Sequence, residues 1–155
     1  MKLTTLGLIG ALMAAPFFVP ATAIAQGRHP RYLRARSDLR AAQFYLRVRE
    51  EPNVTRNLRA ADNEVEQAIL EIDRAAVLDR KDLDDHPRID ERLGRQDRFR
   101  KIVELLRGAR SGIDQEEDNP RAREWRARAF RHIDEALNAV HRAATDAHID
   151  HELGF

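Results

Sequence analysis

Residues 120–147 read PRAREWRARAFRHIDEALNAVHRAATDA. Within them Phe130, Ile133, Leu137, Val140 and Ala144 recur at steps of three and four, which draws one apolar stripe down an α-helix. A helix with one apolar face is stable in water only when that face is covered, so this stretch commits the chain to helix-on-helix packing. Asn119 before Pro120 reads as its start. The Asn side chain can accept a bond from an unpaired first-turn N–H, and proline at the first helical position sacrifices no hydrogen bond.

The same pattern occurs three more times upstream. Tyr32, Ala35, Leu39, Ala42 and Leu46 predict a helix from Pro30 to about Arg49, and Glu51-Pro52-Asn53 reads as its end, because proline disfavours helix in the residue before it. Leu58, Ala61, Val65, Ala68, Ile72 and Ala75 predict a second helix that reaches about Leu78. Its start falls between Asn53 and Asn63, where Asn63 and Glu66 form a capping arrangement. Phe99, Ile102, Leu106, Ala109 and Ile113 mark a third, with Gly108 as a close-contact point and Gly112 suited to its end. Between the second and third lies the polar, acid-rich link Arg80–Gly94, the longest loop.

Four amphipathic helices with short links predict an all-α, up-down-up-down four-helix bundle. A short internal match, AILEIDRAA at 68–76 over AFRHIDEAL at 129–137, admits a construction from two duplicated helical hairpins.

The first residues carry one early charge, Lys2, then an uncharged apolar run, then Ala23-Ile24-Ala25. Charged start, apolar middle and small-x-small ending are the marks of a secretory signal, expected to be cut after Ala25. Pro16 and Pro20 interrupt the run, against a membrane span, so none is expected in the mature chain. Residues 26–155 are then a single domain, periplasmic or secreted.

Of the charged residues only Lys2 leaves with the signal, taking 27 basic residues to 26 against 26 acidic. A net charge of zero gives no support to a general nucleic-acid or anionic-membrane role. Basic residues are nearly all Arg, which with abundant Asp and Glu predicts a surface of ion pairs. Cysteine is absent, excluding thiol catalysis and thiolate metal sites. The mature chain has two serines, Ser37 and Ser111, neither in a G-x-S-x-G setting.

HPRYLRARSDLRAA at 29–42, DHPRID at 85–90 and EEDNPRAREWRARAFRHIDEAL at 116–137 resemble an uncharacterised family of small exported bacterial helical-bundle proteins. The resemblance covers most of the mature chain; it implies a bundle and export, and carries no activity with it. HIDEA also resembles helices of small periplasmic metal-binding four-helix proteins, which are richer in His than the six here.

Two constellations could carry chemistry. Along the last helix Asp134, His141, His148 and Glu152 fall close to one face at steps of seven and four, with His151 three residues from His148. Such a set can hold Cu²⁺, Zn²⁺ or Ni²⁺, but spacing alone favours the plainer reading, a polar helix end where His suits the negative end of the dipole. Asp73 and Asp134 occupy matching places in the internal match, but the Glu-x-x-His of di-metal carboxylate bundles is absent. Each is expected to take an Arg at the core boundary, Arg36 or Arg40 being candidates. Asp82, Asp84, Asp85 and Asp90 lack the central Gly and closing Glu of a calcium loop and read as a solvated link. Trp125, among Arg123, Arg126 and Arg128, reads as packed beneath Arg stems.

The expectation is a non-enzymatic exported module that binds or protects an unknown periplasmic or extracellular partner and uses no cofactor. The alternative is a periplasmic binder of a divalent transition metal through His141, His148, His151 and Glu152.

Overall fold

The computed structural model describes residues 30–78, 87–114 and 123–153. The expected signal, the Asn119-Pro120 start, and Asp82, Asp84 and Asp85 lie outside the described residues. Helices α1 (Pro30–Leu46), α2 (Pro52–Leu78), α3 (Arg95–Asp114) and α4 (Arg123–Asp146) form an all-α four-helix bundle, followed by a 3-10 turn at Asp150–Glu152. No helix among the described residues is long and apolar enough to cross a membrane.

The expected stripes of α1 and α3, and that of α2 as far as Ile72, are the core, with Leu39, Leu46, Leu58, Val65, Phe99, Ile102, Leu106 and Ile113 at most 2% exposed. On α4 the buried face is turned by about one residue. Ala129, Ala136, Ala139 and Ala143 join Ile133, Val140 and Ala144 inside, while Phe130 and Leu137 are only half-buried. Hydropathy ranks Phe and Leu above Ala, but a closely packed helix pair needs small side chains at the contact. The facing helix α2 supplies Ala61 and Ala68 to the same core.

Two boundaries differ from the expected ones. Pro52 does not simply end α1; it begins α2 at the position where a missing N–H costs nothing. The Glu51 carbonyl accepts from Thr55 N–H at 2.8 Å, and the Thr55 hydroxyl donates to the Glu50 carbonyl at 2.8 Å while accepting from Glu50 N–H at 3.0 Å. That start places Asn63 and Glu66 in the interior of α2, so they cap nothing. Gly112 does not end α3, which continues to Asp114. A Cβ at Gly112 would lie 3.5 Å from both the Ala35 Cβ and the Arg31 carbonyl, and one at Gly108 would lie 3.3 Å from Asp38 Oδ2, so α1 passes close to both glycines.

The order of helix directions also differs. Arg47 bonds Asp62 and Arg36 bonds Asp73, so α1 and α2 are antiparallel. Gly108 faces Asp38 and Gly112 faces Ala35, so α1 and α3 are antiparallel too. The links Asn57–Asp146, Glu64–His132 and Glu71–Arg128 set α4 antiparallel to α2. The bundle is therefore up-down-down-up, not up-down-up-down, with α1 diagonal to α4 and α2 diagonal to α3. Short links force antiparallel neighbours, but sixteen residues separate Leu78 from Arg95. Extended, they reach roughly 50 Å. That exceeds the roughly 40 Å length of α2, so the link can return the chain to the other end.

Candidate functional site

Three polar groupings stand out, and the helix register decides what each can do. The first lies at the core boundary. Asp73 follows the buried Ile72 by one residue, which sets it at the edge of the stripe and within reach of α1. Arg36 Nε donates to Asp73 Oδ1 at 2.5 Å and Nη2 to Oδ2 at 3.3 Å, a two-pronged bond from a side chain 4% exposed. This is one of the two arginines expected for Asp73. Asp134, one residue after Ile133, takes Arg110 from α3 instead, at 2.7 Å. That bond is the main reason the Arg110 guanidinium is held above its ordinary value. The Arg110 carbon also sits 5.1 Å from the centre of the Phe130 ring, so the exposed side of Phe130 carries a cation–π contact. Asp73 and Asp134 thus serve different helix pairs and do not converge.

Sequence reasoning missed Glu71, which is 6% exposed and bonded by Arg74 at 2.6 Å and Arg128 at 2.8 Å. The step Glu71 to Arg74, one helical turn, was the available signal. Next along the α2–α4 seam, His132 Nδ1 lies 2.8 Å from Glu64 Oε2. A carboxylate only accepts, so Nδ1 carries the hydrogen. These groups hold helices together, and each acid among them is engaged.

The second grouping is the C-terminal His cluster. Helix α4 stops at Asp146, and His148 takes a left-handed conformation with φ of 60°. Ile149 N–H bonds the Ala144 carbonyl at 3.0 Å and His148 N–H bonds the Thr145 carbonyl at 3.0 Å, which closes the helix with the paired bonds of a Schellman end. His141 is the last of the set on the helix, and it is exposed. His148 sits on the reversal, and His151 and Glu152 belong to the separate 3-10 turn, so continuous helical spacing does not bring the four together. Among the described residues no group of three or more His, Asp or Glu side chains is gathered for a metal. Asp90, from the acidic link, accepts from Arg92 N–H at 3.0 Å, and its own N–H bonds the Tyr45 hydroxyl at 2.9 Å. Trp125 is half-buried.

The third grouping surrounds the α1–α2 turn. Glu50 is claimed by Arg98, and Glu51 by Arg95 Nη2 at 2.5 Å. Arg95 Nε lies 3.3 Å from Glu50 Oε2 but outside hydrogen-bond geometry, so that nitrogen and Arg98 Nε are buried without an acceptor. The Glu51 carboxyl is held below its ordinary value of 4.5, first by a bond from its own backbone N–H and then by Arg95. On the outer side Arg47 bonds Asp62 at 3.0 Å, while Arg49, Arg56 and Arg59 are exposed and make no ion pair among the described residues.

No protein-family model, curated protein or solved structure matches the chain.

Proposed function

We propose that the mature chain is an exported, non-enzymatic module that acts by binding through its outer surface. One observation carries this reading. The interior positions where carboxylate bundles place their reactive acids are filled here by Ala, Val, Ile, Leu and Phe, and the acids at the core boundary are tied to Arg, His or Asn of another helix. Chemistry on a substrate needs a group that is both positioned and available, and these groups are positioned by being used. Among the described residues Arg49, Arg56 and Arg59 are exposed around the α1–α2 turn and make no ion pair.

The test is hydrogen exchange on residues 26–155 with and without an extract of the producing cell's envelope. Protection of 47–60 is the expected result. Protection confined to 71–73 and 128–134 would place the working site on the ion-paired seam, and a cleft in an experimental structure lined by Asp73, Asp134 and a histidine would overturn the reading in favour of catalysis.

A further inference from the structure

Three adjoining depressions, of about 500, 520 and 490 Å³, run from the end of α1 across the turn to the start of α2. The first and second share Arg47 and Val48; the second and third share Arg49, Thr55 and Arg59. Five arginines line this band against two acids, Asp62 and Glu50. Both acids are already engaged, by Arg47 and by Arg98. The surplus is Arg49, on the turn, with Arg56 and Arg59, which are three residues apart near the start of α2, in a mature chain whose expected net charge is zero.

The band has an apolar flank. Phe44 is 42% exposed, one of two large hydrophobic side chains that are so among the described residues, and it lines the first depression with Val48. Its ring meets Tyr45 edge-on at 5.6 Å, and its depression adjoins, through Arg47 and Val48, the one that holds Arg49 and Arg59. Guanidinium groups match phosphate oxygens through paired donors, and an exposed phenyl ring gains by leaving water. An anionic bilayer surface offers both at once, phosphates side by side in one plane and an acyl boundary beneath them. A nucleic acid or an acidic protein offers the charge alone to most of the band. We infer that this face docks the bundle on the phosphate headgroups of an anionic lipid surface, with Phe44 entering the headgroup layer. The inference rests on the binding-module reading and names its partner.

The experiment is co-sedimentation of residues 26–155 with vesicles of phosphatidylcholine, alone or mixed with phosphatidylglycerol, at low and high salt. Partition onto the anionic vesicles should exceed that onto neutral ones by on the order of a hundredfold, three basic side chains contributing, and should fall with salt. Replacing Arg49, Arg56 and Arg59 together by Gln should erase the difference. Replacing Arg123, Arg131 and Arg142, also exposed and without an ion pair among the described residues, removes the same charge from α4 and should leave binding intact. Phe44→Ala should weaken it by roughly tenfold. Circular dichroism checks that each variant is folded. Equal losses from both triple variants, no preference for anionic vesicles, or displacement from them by a polynucleotide would each overturn the lipid assignment. If vesicles fail while envelope extract still protects 47–60, the lipid partner falls and the binding module stands; if both fail, both fall.

Discussion

Arg36 on α1 grips Asp73 on α2 through two nitrogens while itself only 3% exposed. The pair fastens the first hairpin at the end away from its turn, where Arg47–Asp62 performs the same task in water. Asp73→Ala deprives a buried guanidinium of its two-pronged acceptor. The expected cost is about 2 to 3 kcal/mol by urea unfolding, below the full range for buried pairs because Asp73 keeps 24% exposure. Arg47→Ala at the exposed pair should cost under about 1 kcal/mol. Arg36→Met combined with Asp73→Leu should recover most of the loss, since an apolar pair needs no compensation. A cost for Asp73→Ala as small as that of Arg47→Ala would show that water already compensates the inner pair.

Gly112 is the better of two places to gain stability. A methyl group there would meet Ala35 and the Arg31 carbonyl at ordinary contact distance, and α3 runs on through the site, so Ala replaces Gly without strain. Gly112→Ala should raise stability by about 0.5 to 1 kcal/mol, from helix propensity and a less free unfolded chain. Gly108→Ala should gain less, because the Asp38 carboxylate must yield a few tenths of an ångström. Thermal unfolding of both variants reads the order; a loss at Gly112 would mean that the helices cannot keep their spacing with an added methyl.

The helices were legible because amphipathic period survives in any packing arrangement, which is why Leu39, Val65, Phe99 and Ile133 could be assigned to the core from spacing alone. Direction was not legible. An apolar stripe reads the same up or down, and only the capacity of the 79–94 link could have raised the alternative connection. The Asp73–Arg36 pair was readable from the edge position of each residue, whereas the Asp134 partner depends on which residue of α3 lies level with Asp134, a height that an apolar stripe does not fix. The free arginines were invisible for a related reason. Arg47 and Arg49 look alike in sequence, and which of them is neutralised is decided by where α2 places Asp62.

Glu51 gives a prediction for acid conditions. Its carboxyl is held below 4.5 in the folded chain, so its contribution to stability is complete above that value and is lost as pH falls through the lowered folded value. The group is exposed, so the stability effect is small and the titration is the useful observable. NMR should find the Glu51 side chain titrating below 4.5. In Arg95→Gln the midpoint should move only part of the way back, because the first cause is the bond from its own N–H and remains in place. Full return to 4.5 in that variant would assign the whole shift to Arg95.

His148 ties the end of α4 to the fate of the histidine cluster. Its φ of 60° belongs to the left-handed region, where a Cβ crowds the backbone and glycine does not. The conformation is imposed by the paired bonds to Ala144 and Thr145 and by Ile149, which packs against the core, with buried Leu153 beyond it. His148→Gly should therefore stabilise the chain by about 0.5 to 1 kcal/mol, whereas His148→Ala keeps the strain and should be near neutral. The same geometry bears on metal binding. A histidine on the reversal and another on the following 3-10 turn are not the helical pair one turn apart that spacing promised. Calorimetry with Cu²⁺ should find equal, weak binding by the parent and by the variant combining His148→Ala with His151→Ala. Micromolar binding that vanished in the double variant and below about pH 6, where imidazole protonates, would show instead that the cluster assembles around the ion.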